Sequence, residues 1–137
     1  MNIILTVDDD WGTRFNNRRQ SRDSAVTARI LELSAPAALW MSESTARLFP
    51  EPPERVIADD GFPAKAAPGD YCFVEDVSLL PPADEIESFI LFHWNRRYPS
   101  DQKFEPGLLA KGWSLTKASE FPGHSHDKIT EEWYCRV

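Results

Sequence analysis

Apolar positions along this chain fall into short blocks with two different periods. Asn2 to Val7 is an apolar run rich in β-branched residues, closed by Asp8, Asp9 and Asp10, and it predicts a strand. From Ser21 or Arg22 to about Ser34 the period changes. Val26, Ile30 and Leu33 recur at near-helical spacing and predict a helix with one buried face. Leu39 to Met41 reads as a short buried strand, followed by a short helix from Ser44 to Phe49. Arg55 to Ala58 and Tyr71 to Val74 predict two more strands, and the mostly apolar Ser88 to Trp94 a central one. Trp113 to Phe121 and Ile129 to Val137 read as a closing antiparallel pair. Proline-rich stretches at 50–53, 63–68 and 81–82 are expected to be surface loops, because proline neither continues a helix nor fits a central strand. Strand–helix–strand units followed by a strand-rich end predict an α/β fold. Its central sheet is expected to be mixed and mainly parallel, with an antiparallel C-terminal hairpin.

At 137 residues the chain fits one domain, 1–137, that buries its core without disulfide or metal staples. A net charge of −7 argues against a general nucleic-acid binder, which presents a basic face. Cys72 and Cys135 are far apart, no charged-then-apolar leader opens the chain, and runs such as Phe89 to Phe92 are too short to span a bilayer. A cytoplasmic protein with free thiols is expected.

Several groups could carry chemistry. Arg14, Arg18, Arg19 and Arg22 fall within nine residues, just ahead of the predicted helix, with Asn16, Asn17, Gln20 and Ser21 as further donors. Guanidinium forks and free helix N–H groups together make an anion site. The plainer alternative pairs these arginines with Asp8 to Asp10 and other surface acids. Asp23 in the first helical turn is either a helix stabiliser or a carboxylate lining a pocket. His124 and His126, alternating beside Asp127, could share a metal on one strand face. A polar loop entering the last strand accounts for them equally well. The opening strand and its aspartates, with Asp59 or Asp60 and Lys103, resemble a response-regulator receiver. A receiver needs five alternating βα units, which the proline-broken middle does not supply. Trp94 to Tyr98 could stack a base or simply end a strand, and Cys72, inside a strand, is expected to be an inert buried thiol.

The layout resembles dihydrofolate reductase: the opening strand, the Gly12 loop with Phe15-Asn16, the acid entering the first helix, Leu39-Trp40-Met41 followed by Ser42 to Phe49, the strand Phe89 to Trp94 before Asp101 to Phe104, and a hairpin built from Gly112-Trp113, Glu120-Phe121 and His124 to Val137. The resemblance implies that Asp23 stands where the family has the acid that grips and helps protonate its pterin. It also puts Val74-Glu75-Asp76-Val77 where the family's glycine pair approaches the cofactor phosphates, and Phe92 at the family's late-strand threonine. The carboxylates of that segment would repel a diphosphate. The expectation is therefore a non-reductase member of the fold with no cofactor. It would hold a small anionic or heterocyclic ligand between Asp23, as the catalytic candidate, and Phe15, Arg18, Arg19, Arg22 and Trp40. Two alternatives remain open: a module whose arginine loop docks an acidic partner protein, and a metal-dependent hydrolase acting through His124 and His126. The blocks Gly12 to Asp23, Trp94 to Pro99 and His124 to Thr130 are also similar to a group of short, uncharacterised bacterial proteins, some labelled ribonuclease Z. The ribonuclease Z metal motif needs a histidine directly after the aspartate, where this chain has Lys128.

Overall fold

The structure is a computed structural model describing residues 1–137. The chain runs β1 (Asn2–Val7), β2 (Gly12–Phe15), β3 (Arg18–Arg19), α1 (Ser24–Ser34), β4 (Leu39–Met41), α2 (Glu43–Ala46), β5 (Val56–Ala58), β6 (Tyr71–Phe73), β7 (Ser88–His93), β8 (Gln102–Lys103), β9 (Trp113–Phe121) and β10 (Ile129–Arg136). Seven strands form one sheet in the order β5-β4-β6-β1-β7-β10-β9. The first five are parallel to their neighbours, and β10 and β9 turn antiparallel to close the edge. This is the mixed, mainly parallel sheet with a C-terminal hairpin that the sequence predicts. It also excludes the alternating βα layout of a receiver.

The apolar runs explain the sheet's centre. β1 and β7 are flanked on both faces, so nearly every residue in Ile3 to Val7 and Ser88 to Phe92 is buried. Side-chain alternation divides them between two cores. Ile4, Leu39, Met41, Phe73, Ile90, Phe92 and Ile129 pack under α1, which contributes Val26 and Ile30. On the other face Ile3, Leu5, Val7, Phe89 and Leu91 meet Phe62, Val74, Ile86 and Phe104. Short 3-10 turns, not helices, cover that second face, among them Phe62–Ala64, Val77–Leu79 and Pro106–Leu109. The proline-rich stretches are thus not all surface: Pro63 lies in the turn that inserts Phe62, and Pro81 is buried. Burial pushes the Cys72 thiol up to about 12, so it stays protonated.

Two boundaries shift from expectation. The first helix begins at Ser24, not at Ser21 or Arg22, because Asp23 adopts an extended backbone and caps it. The second spans only Glu43–Ala46, capped by Ser42, and unwinds into turns through Phe49. One polar contact stitches the helix layer to the sheet. Arg29 of α1 reaches Glu131 of β10 at 2.7 Å, and Trp133 Nε1 donates to the same carboxylate at 2.8 Å. Burial would raise the Glu131 pKa, but the Arg29 fork and the Trp133 N–H outweigh it and hold the carboxyl ionised.

Arg29→Ala leaves a carboxylate that is 1% exposed without its cation, and a loss of about 3–5 kcal/mol is expected. Urea denaturation checks this, and Glu32→Ala, which removes only the exposed partner of Arg29, is expected to change stability by less than about 0.5 kcal/mol.

Candidate functional site

Three stretches remote in sequence converge at the start of α1. Asp23 caps the helix by accepting from the Ala25 N–H at 2.8 Å. The same carboxylate also accepts from the His124 and Ser125 N–H groups, each at 2.9 Å, and from Ser125 Oγ at 3.2 Å. His126 Nδ1 lies 2.9 Å from Asp23 Oδ2. The carboxylate is fully enclosed, with the side chain 0% exposed. Burial would raise its pKa. The His124 N–H, the His126 ring and the Ser125 and Ala25 N–H groups more than offset this, and hold it well below the usual carboxylate range. Gly123 is required by this approach, because a Cβ there would stand 2.7 Å from Asp23 Oδ2 and 2.7 Å from the His126 carbonyl.

His126 is oriented on every side. Its ring stacks on Trp94 with centroids 4.7 Å apart. Its Nε2 lies 2.8 Å from the Tyr98 hydroxyl and 3.1 Å from Ser21 Oγ, and Tyr98 OH is 3.2 Å from Ser21 Oγ. The three sequence blocks singled out above therefore meet in one network. Both ring nitrogens of His126 are engaged and His124 is exposed, so the two histidines do not form the shared metal face considered as an alternative.

Arg14, Arg18 and Arg19 occupy a β-hairpin, and only Arg22 lies in the segment entering α1. Phe15 pairs with Arg18 across Asn16-Asn17, both with positive φ, which is the geometry of a type I′ two-residue turn. The hairpin is tied down by carboxylates from the segment after β6. Arg19 forks onto Glu75 at 2.9 and 3.0 Å, Thr45 Oγ1 donates to Glu75 at 2.7 Å, and Arg14 meets Asp76 at 3.0 Å. The plainer alternative, pairing with acids, thus holds for Arg14 and Arg19, with Glu75 and Asp76 as the partners and not Asp8 to Asp10. Asp8 instead accepts from the Asp10 and Gly12 N–H groups, Gln20 Nε2 and the Tyr98 N–H, which fixes the turn after β1.

Between the hairpin and the carboxyl ends of β4 and β6 lies a cleft of about 440 Å³. Arg14, Arg18 and Arg19 line it with Ser42, Ser44, Thr45, Glu75 and Asp76, over a floor of Phe62, Phe73 and Leu79. Arg18 makes no ion pair, and its side chain also borders a second open hollow with Phe15, Gln20 and Tyr98. Arg22 is exposed and lines a separate hollow with Asp23, His124 and Ser125.

The expected pocket uniting Asp23, Phe15 and Trp40 does not form. Trp40 sits between Leu39 and Met41, both of which face the α1 core, so strand alternation sends it to the other face. There its Nε1 donates to Asp70 at 3.0 Å. Phe15 is 43% exposed near the hairpin tip. Arg18 and Arg19 do meet in the cleft, while Glu75, Asp76, Ser42, Ser44 and Thr45 were not expected there as site residues. The dipeptide Asn16-Asn17 was the available signal for the hairpin.

Asp23→Ala removes a helix cap and strands two loop N–H groups, and a cost of about 2–4 kcal/mol is expected. Because the folded pKa lies below the unfolded one, the charged carboxylate stabilises the fold above the unfolded value of about 3.9, and that stability is lost as pH falls. Urea melts between pH 3 and pH 7 test this, since Asp23→Asn is expected to flatten the acid limb; an unchanged limb would contradict the assignment.

No family model matches the chain, and no curated protein matches it. Among solved structures it is similar to a dihydrofolate reductase from Enterococcus faecalis complexed with NADP(H) and RAB-propyl. The TM-score is 0.63 at 11% sequence identity, covering 98% of this chain and 95% of that one. At that identity the likeness concerns the fold alone: this chain has a dihydrofolate reductase-like fold, with a mainly parallel sheet and an antiparallel C-terminal hairpin.

Proposed function

We propose that this protein binds a small anionic or heterocyclic ligand in the cleft under the arginine hairpin, and that it is not a working nicotinamide-dependent reductase. The reading is carried by Arg18, a cleft-lining cation with no acidic partner, beside Arg14 and Arg19, which are held rigid by theirs. The cleft opens outside the carboxyl ends of parallel strands, where ligands of open α/β sheets bind. Its volume of about 440 Å³ suits a small molecule. Three guanidinium groups against the Glu75 and Asp76 carboxylates leave one net positive charge, which favours a monoanion or a polar heterocycle with both donors and acceptors.

The residues present do not suit a dinucleotide. A diphosphate at a sheet crevice wants backbone N–H groups close by, free of side chains. Here the segment after β6 turns Glu75 and Asp76 into that space, so side-chain acceptors stand where a diphosphate wants bare N–H donors. Asp23 is a positioning residue in this reading, since its enclosed carboxylate anchors the segment that follows the hairpin.

Thermal-shift measurements with folic acid, adenosine monophosphate, inorganic phosphate and NADPH test the proposal. A ligand at one hundred times its Kd is expected to raise Tm by roughly 8 °C, with the shift lost in Arg18→Glu. NADPH is expected to give no shift. A shift of several degrees with NADPH, or no response to any of the other three, would overturn the reading.

A further inference from the structure

The network around His126 has an arrangement that the ligand-binding reading does not use. Asp23 orients one ring nitrogen, and a serine hydroxyl stands at the other. Ser21 Oγ is 3.1 Å from His126 Nε2, and His126 Nδ1 is 2.9 Å from Asp23 Oδ2. This is the relation of nucleophile, base and orienting acid, which is recognised by geometry and role and not by order in the chain. The Asp23 carboxylate is held ionised by N–H donors, so it fixes the proton on Nδ1 and leaves the Nε2 lone pair facing the hydroxyls. Stacking on Trp94 prevents the ring from swinging away.

We propose that Ser21 is an activated nucleophile, with His126 as its general base and Asp23 as the positioning acid, and that it reacts with small carboxylic esters. Ser21 Oγ attacks the acyl carbon as its proton passes to His126 Nε2. The ester C–O bond then breaks, and the leaving alkoxide takes that proton away as an alcohol. A water molecule, deprotonated by the same nitrogen, hydrolyses the acyl-serine and returns the proton to Ser21 as the acid leaves. The sum is ester plus water giving acid plus alcohol.

Two further features favour this chemistry. The Arg22 N–H, the amide directly after the nucleophile, donates to no other group of the chain and is available to an oxyanion. Tyr98 OH, 3.2 Å from Ser21 Oγ and 2.8 Å from His126 Nε2, is a second hydroxyl at the same spot, whose one proton turns to the oxyanion when Nε2 takes up the serine proton. The size of the acyl group follows from the inner wall. Beside Ser21, the walls formed by Thr6, Val26, Leu48, Phe73 and Trp94 leave about 10 Å³, roughly the space of one water. So small a recess favours the shortest acyl groups, acetyl over butyryl.

The test uses the intact, natively folded protein without any cleft ligand, so that its failure leaves the ligand-binding reading standing. Treatment with methanesulfonyl fluoride, a serine reagent no larger than a short acyl group, followed by intact-mass and peptide mass spectrometry, is expected to give one adduct, on Ser21, with release of fluoride. Ser21→Ala deletes a single half-buried hydroxyl and is expected to fold, to form no adduct and to hydrolyse p-nitrophenyl acetate at least 100-fold more slowly. His126→Gln is expected to cut the labelling rate at least 100-fold, its folding being checked by thermal unfolding. Wild type is expected to favour p-nitrophenyl acetate over p-nitrophenyl butyrate by tenfold or more. Absence of an adduct on the folded wild type, an adduct on Tyr98 in place of Ser21, or unchanged acetate hydrolysis in Ser21→Ala would overturn the proposal.

Discussion

A single buried carboxylate holds the two ends of this chain together. Asp23 receives hydrogen bonds from the first turn of α1 and from the loop joining β9 to β10, residues 101 to 103 positions away. An isolated charge at that depth is prohibitively costly in a low-dielectric interior, so it persists only because every oxygen is satisfied. The constraint spreads outward from there. Gly123 must lack a side chain, His126 must present one particular edge, and Trp94 must lie flat beneath it. The helix layer and the C-terminal hairpin are fixed a second time by Arg29 and Glu131, which lie further along the same two elements. Two ion-supported ties thus do here what a larger helical layer does in bigger α/β domains.

What the sequence reveals depends on how local the determining physics is. Strands β1 and β7 declare themselves because burial on both faces demands near-continuous apolar runs. The helix α1 is legible in Val26, Ile30 and Leu33, although its start is not, since Asp23 reads equally well as a first-turn residue or a cap. The face of Trp40 was legible too: with Leu39 and Met41 in the α1 core, alternation alone directs it away. The β2–β3 hairpin is harder. Its strands are short and polar, and what stabilises them is contact with Glu75 and Asp76, more than fifty residues away. No periodicity encodes such a pair. The same is true of Asp23 and His126, whose partnership rests on a sheet order that only the fold supplies.

The arginine cluster shows how one set of residues serves two ends. Asp76 and Glu75 neutralise Arg14 and Arg19, which allows a strongly basic hairpin to lie down over the sheet without self-repulsion. The same two carboxylates then form a wall of the cleft beneath it. A crevice at the carboxyl ends of parallel strands is a property of the architecture and persists across sequences with little in common. What that crevice can hold is a property of a few side chains. Glycines there would expose backbone N–H groups to phosphates, whereas Glu75 and Asp76 offer acceptors. The acids that fasten the hairpin are therefore also the ones that change the chemistry of the site.

The cleft and the His126 network are separated by the hairpin and the anchored segment that leaves it. Arg18 and Arg19 belong to one side, Ser21 and Asp23 to the other, and only Gln20 lies between the two pairs. Gln20 is itself fixed by Asp8 and the Pro99 carbonyl. Anything that moves the hairpin to admit a ligand pulls on a chain whose next few residues are pinned by Asp8, Tyr98 and the Asp23 carboxylate. Arg18 alone of the hairpin's arginines is exposed and unpaired, while Arg14 and Arg19 are tied to Asp76 and Glu75 and the residues from Gln20 onward are anchored. The geometry of Ser21 against His126 is therefore set by that anchor and not by the arginines of the hairpin.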